Sequence, residues 1–250
     1  MSVNPNLRIS TITLISGLNT NVSLNDFYEN LEINDKFKYI EFGSNPVKGE
    51  KVNKIKNPRK KKEKKFFYNQ LTLHVFKDKI VNVKIFNNGR FQMTGLKSKE
   101  QGIEIVKIIL DYIVNLPDDN KEKVIDNLEP ELIDSKIVLI NSDFDIHFKI
   151  NREALHRIII SRGYYSSYEP TIYPGVNIKY YYNEKNDNGI CNCSKSCNGK
   201  GKDGCCKKVT IAVFNSGKTI ITGGQSFDHL NIAYDFITKL VKENQTEIKH

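Results

Sequence analysis

The stretch VNVKIFNNGRFQMTG, Val81 to Gly95, returns as VTIAVFNSGKTIITG, Val209 to Gly223, displaced by 128 residues. The two copies share Phe86/Phe214, Asn87/Asn215, Gly89/Gly217, Arg90/Lys218, Thr94/Thr222 and Gly95/Gly223, and a helical apolar pattern follows each. A self-match of this kind marks an internal duplication. Read with period two, Val81, Val83, Ile85, Phe91 and Met93 form an inner face, while Lys84, Phe86, Asn88, Arg90, Gln92 and Thr94 form an outer one. The second copy repeats this, with Val209, Ile211, Val213 and Ile221 inside and Thr210, Ala212, Phe214, Ser216, Lys218, Ile220 and Thr222 outside. Aromatic residues are usually core. A Phe, a cation and a Thr at matched places on both outer faces point instead to a surface that binds something.

Working outward, the chain divides into a first half, 1–116, a connector, 117–133, and a second half, 134–250. Ile9 to Ile15 reads as a strand, Ser23 to Leu31 as a capped helix, Lys38 to Phe42 as a strand, and Tyr68 to Val75 as the partner of the repeated strand. Ile103, Val106, Ile109, Leu110 and Ile113 fall at helical spacing within Ser98 to Asn115, ahead of Leu116-Pro117. The acidic connector has room for a short helix. The second half repeats the order as strand 136–140, helix 151–161, a strand near Tyr164, strand 176–182, an insertion at 183–208, strands 209–214 and 219–222, and helix 227–243.

With 39% hydrophobic and 27% charged residues in 250, the composition is that of a globular protein able to bury one or two cores. Met1 to Asn6 lacks the basic start and apolar run of a secretory signal, and no run of 18 apolar residues exists, so an intracellular location is expected. The net charge of +9 is concentrated: Ser44 to Lys65 holds ten Lys/Arg against two Glu, and 183–208 holds six Lys against three acids, which leaves −2 elsewhere. The loop at 44–65 reads as a solvated charge run, a phosphate-binding arm or an import signal. A nucleic-acid grip by the folded parts therefore depends on shape and apolar contact, with salt-sensitive help from the loops.

Ser166-Ser167-Tyr168-Glu169-Pro170, followed by Tyr173-Pro174-Gly175, resembles the second-repeat signature of the TATA-box-binding protein family, whose usual form is SSYEPELFPG. Phe214 to Gly223, and more loosely Phe86 to Gly95, is similar to that family's FxSGKxxxTG strand pair. Length, insertions and Lys/Asn/Ile usage look most like the divergent copies of large DNA viruses or protists. The resemblance implies an α+β fold: a pseudo-twofold saddle of curved antiparallel sheet with helices on its convex face. It implies a non-enzymatic transcription initiation factor whose concave face binds double-stranded DNA in the minor groove and bends it with apolar wedges. By position, Phe86, Phe214, Tyr173 and Tyr68 (or Phe67) match the wedges. Arg90, Lys218 and Lys179 match phosphate contacts, and His74 stands where the family often has Arg. Asn88, Gln92, Thr94, Asn141, Pro174, Ser216, Ile220 and Thr222 complete the implied DNA face. Asn141 and Leu139, with Thr11 and Thr13, stand where the family's central asparagines are sought. Glu169 and Ile172 match a surface for a transcription factor IIB-like factor, which implies contact with the RNA polymerase machinery, in the nucleus or, for a viral protein, in a cytoplasmic factory or virion. A saddle protein that keeps partners but has lost sequence-specific DNA binding is the second reading. A saddle-fold enzyme is the third, and no Asp/Glu cluster supports it.

All five cysteines lie in the insertion as C-x-C-x3-C-x7-C-C. A structural zinc clip, a disulfide clip and unpaired thiols are the three readings. For the metal the set is Cys191, Cys193, Cys197 and Cys205, with Cys206 spare, and the clip is expected to lie far from the DNA face. No cofactor is required for function.

Overall fold

The computed structural model describes residues 3–50, 66–184, 188–194, 196–202 and 205–250. The core of the basic run, 51–65, lies outside them. Two compact units are present, one made of Ile12–Val138 and the other of Met1–Thr11 with Leu139–His250. The boundary between them falls inside two strands, β1 (Arg8–Leu18) and β7 (Leu132–Asp145).

Within residues 12–138 the strands run in the order β3 (Lys48–Gly49), β2 (Phe37–Phe42), β4 (Gln70–Phe76), β5 (Ile80–Phe86), β6 (Arg90–Leu96), β1. The pairings among them are antiparallel. Helices α1 (Leu24–Asn30), α2 (Lys99–Val114) and α3 (Asp118–Val124) pack on one side. Val81, Val83, Ile85, Phe91 and Met93 are fully buried there, as the period-two pattern requires, and Ile105, Val106, Ile109 and Ile113 of α2 close over them.

The other unit repeats the arrangement. Its strands run β7, β11 (Lys218–Gly224), β10 (Lys207–Val213), β9 (Tyr173–Tyr182), β8 (Tyr165–Glu169), and α4 (Arg152–Ser161), α5 (Phe227–Glu243) and α6 (Gln245–Ile248) cover one face. Val209, Ile211, Val213 and Ile221 are fully buried. Ala212, expected on the outer face, is buried too: its small side chain stands in register between the longer Asn177 and Ile220.

The repeat extends to irregularities. The β1–β6 register shifts opposite Gly95 (φ +90°), and the β11–β7 register shifts at Gly223 (φ +94°). Such a backbone angle strains any residue with a Cβ, so the glycine of each Thr-Gly pair marks a bulge. Ser98 and Ser226, also 128 apart, cap α2 and α5, each accepting a hydrogen bond from the backbone N–H three residues on. No helix among the described residues is long and apolar enough to cross a membrane.

Candidate nucleic-acid interface

In the unit built mainly from the second half, the outer sheet face carries a ring pair. Tyr173 and Phe214 lie with centroids 5.8 Å apart and planes inclined at 61°. Gly175 makes this approach feasible, because a Cβ there would sit 3.0 Å from the Tyr173 ring and 3.2 Å from the Phe214 ring. Tyr173 remains 39% exposed, so the pair is packed on one side and open on the other. Pro174 presents its carbonyl to the Arg152 guanidinium at 2.5 Å.

From that pair an open groove of about 910 Å3 runs along the same face, lined by Asn141, Phe214, Ser216, Lys218, Ile220 and Thr222. Six residues expected at the DNA face thus meet in one place. The Thr222 hydroxyl donates to the Asn141 side-chain oxygen, and the Lys179 ammonium donates to the Thr210 hydroxyl at 3.0 Å. Burial, and then the neighbouring Lys208, lower the Lys179 pKa. Among the groove residues that escaped the reading of the sequence are Arg8, Ser10 and Asp143. Arg8 pairs with the Asp143 carboxylate at 2.8 Å and the Ser10 hydroxyl also donates to it, contacts spanning more than 130 residues that no local pattern announces.

In the unit spanning 12–138 the matched face is built differently. Phe86, Arg90, Gln92 and Thr94 are half-buried and Asn88 is exposed. One Arg90 terminal nitrogen donates to both Asp134 carboxylate oxygens at 2.7 Å, and Gly17, opposite Arg90 in register, leaves the space they occupy. His74 is buried, with its ring 4.7 Å from that of Tyr39 and its Nε2 3.1 Å from the Asn82 amide, so it offers no exposed cation.

Strand register, extended past the paired residues, gives the position that answers to Tyr173. Asn82 faces His74, and Thr210, 128 residues on, faces Lys179, so β9 follows β4 by 105 residues. At that offset Tyr68 corresponds to Tyr173, and Gln70 to Gly175. The Tyr68 ring lies over Gly43, its hydroxyl 3.3 Å from the Ser44 hydroxyl, and is 64% exposed. Phe67, the alternative, lines a second groove beside Gln70, Thr72 and Lys84.

Glu169 starts a tight turn: its carbonyl accepts from the Ile172 N–H at 3.0 Å and its carboxylate from the Thr171 hydroxyl at 2.7 Å. Ile172 at its tip is 83% exposed.

In the insertion, the sulfurs of Cys191, Cys193, Cys197 and Cys206 lie within 4.8 Å of one another. This corrects the expected set. Cys206 belongs to the group and Cys205 does not, because adjacent residues on an extended backbone point to opposite sides and the fully buried Cys206 is the one turned in. Cys206 directly precedes β10 and its sulfur lies 3.6 Å from the side-chain amide of Asn183, just past β9, so the thiols sit where those two strands end. Tyr181 lies two residues after Lys179 in β9, on the same side of the strand.

The sequence model of the family described as transcription factor TFIID, or TATA-binding protein, matches residues 134–244. A TATA-box-binding protein-like protein of Acanthamoeba polyphaga mimivirus is 30% identical over 98% of this chain and 67% of its own length. The TATA-box-binding protein of Bombyx mori is 24% identical over 63% of this chain and 39% of its own length. Among solved structures, Methanococcus jannaschii TBP superposes with a TM-score of 0.58 over 96% of this chain and 99% of that one, at 19% identity, a likeness of fold.

Proposed function

The chain belongs to the TATA-box-binding protein family, and on that premise we propose that it binds A·T-rich duplex DNA through the minor groove, bends it, and recruits basal transcription machinery. Wedge insertion in the minor groove is the family's established mode of binding. The observation that carries the reading for this chain is the Tyr173–Phe214 pair, held by Gly175 at the end of a groove floored by Ile220 and Thr222. An aromatic edge supported from behind can enter between base pairs, at a cost of a few kcal/mol per unstacked step. Apolar Ile220 tolerates the A·T minor-groove edge, where only acceptors are present, and leaves no room or partner for the amino group of guanine. Lys218, exposed along the groove, is read as a phosphate contact. The loop at 44–65 adds further phosphate contacts.

The exposed turn from Glu169 to Ile172 is read as the seat of a transcription factor IIB-like protein, and through it of RNA polymerase. The reading calls for no cofactor and no catalysis, and places the protein where transcription occurs, in the nucleus or in a viral factory. One observation favours a second reading, a partner-binding protein without sequence-specific DNA recognition: in the 12–138 unit Arg90 is engaged by Asp134 and His74 is buried under Tyr39. Fluorescence-measured bending of A·T-rich and G·C-rich duplexes at stated salt separates the two. We expect bending of the A·T-rich duplex, and its loss in the Phe86→Ala, Phe214→Ala double variant while association persists. An unchanged bend in that variant removes these rings as wedges.

A further inference from the structure

We propose that Cys191, Cys193, Cys197 and Cys206 hold one zinc ion as a closed tetrathiolate site, with Cys205 outside it, and that this site orders the insertion between β9 and β10 at the end of the candidate DNA face. The geometry suits the ion. A tetrahedron with zinc–sulfur bonds of about 2.3 Å has sulfurs about 3.8 Å apart; here all four lie within 4.8 Å, and Cys193 and Cys206 are at 3.5 Å. A disulfide joins two sulfurs at about 2.05 Å and leaves no reason for two more to converge on it.

Polar groups of the chain approach the sulfurs. The Cys191 sulfur accepts from the backbone of Cys193, and the Cys197 sulfur from that of Gly199, each two residues on. The Asn183 amide approaches the Cys206 sulfur at 3.6 Å. Apolar packing does not account for the order of this segment, since among its described residues from 188 to 206 Cys206 is the buried side chain and the rest are glycine, half-buried or exposed. A closed four-sulfur set with no open position is a structural site, not a catalytic one. Four thiolates and Zn2+ sum to −2, and exposed Lys200 and Lys208 flank the cysteines in the chain to offset it.

The test uses the full chain purified under reducing conditions without chelator. Elemental analysis is expected to give about one zinc per chain, as a single closed site demands. Replacement by Co2+ is expected to give the absorption of a tetrahedral tetrathiolate. Cys205→Ser keeps both signals, and Cys206→Ser loses them. Because Cys206 is buried and its variant can misfold, Cys197→Ser, at a half-buried position, is the second variant, expected to lose the metal with its far-ultraviolet dichroism unchanged. Less than about 0.2 zinc per chain with five titratable thiols overturns the proposal, as do iron in place of zinc and three titratable thiols, the sign of a disulfide. Equal loss of metal from Cys205→Ser and Cys206→Ser overturns the ligand set.

Discussion

Gly175 and Gln70 occupy the same register position in the two repeats, and this one difference separates a closed ring pair from an open one. Gly175 lets Tyr173 reach Phe214, whereas Gln70 stands opposite Phe86, and Tyr68 turns to Gly43. Gly175→Gln is therefore expected to part the rings and remove the kink at that wedge site, a loss on the order of tens of degrees, with thermal unfolding little changed. A full bend in that variant excludes the pair as the wedge. Arg90 offers a second residue-scale test. Its exposed pair with Asp134 is worth about 0.2–1 kcal/mol, so Asp134→Asn should tighten DNA binding a few-fold. If Arg90 then meets a phosphate, the log–log salt slope steepens by about 0.9, and the added Arg90→Gln change cancels that increment. A slope that does not move places Arg90 away from the backbone of the DNA. At this scale the outer-face residues were legible because alternation and repetition state them locally. Arg8, Asp143 and Asp134 were not, since each gains its meaning from a partner far along the chain.

Element by element, the repeat predicts not only strands and helices but how their volumes trade. Gly102 of α2 and Leu230 of α5 are 128 apart, as are Leu14 and Ser142, and Leu96 and Gly224. In one repeat the sheet fills the shared space: a Cβ on Gly102 would meet Leu14 at 2.4 Å and Leu96 at 2.9 Å. In the other the helix fills it, for a Cβ on Gly224 would meet Leu230 at 3.0 Å. Gly102→Leu is thus expected to destabilise by about 1–3 kcal/mol through overpacking. Adding Leu14→Ser and Leu96→Gly, which copies the second repeat, should recover much of that in a denaturant titration. Strict additivity of the three changes would show that they do not share one space. Helical spacing made α2 and α5 readable to within a residue or two, and alternation did so for β5, β6, β10 and β11. β3, two residues long, and α6, four residues long, carry too few positions for any period to register. β7 runs from Leu132 to Asp145, beyond the expected 136–140, because Asp134-Ser135 on one side and Asn141-Ser142-Asp143 on the other interrupt any alternating apolar face.

At the scale of the molecule, the family and the duplication were legible, but the allegiance of the first residues was not. Division by sequence assigns Met1 to Thr11 to the first half, yet they belong to the unit formed by residues 139–250. Nothing local signals this, because pairing between strands far apart in the chain is set by the whole topology. The contacts are specific. Leu7 is buried, the backbone N–H of Asn4 donates to the Asn231 side chain of α5 at 2.8 Å, and Arg8 and Ser10 both bind Asp143 of β7. Removing residues 2–8 deletes one buried leucine and the Arg8 pair, a loss of about 2–4 kcal/mol from burial and the cation's hydrogen bonds. The loss should fall on the unit that holds those contacts. Amide exchange is expected to quicken in β7, β11 and α5, while β4, β5, β6 and α2 keep their protection. Faster exchange confined to the 12–138 strands would mean that the N-terminal residues serve the unit their position in sequence suggests. Retained protection throughout would mean that Leu7 and Arg8 contribute little to either.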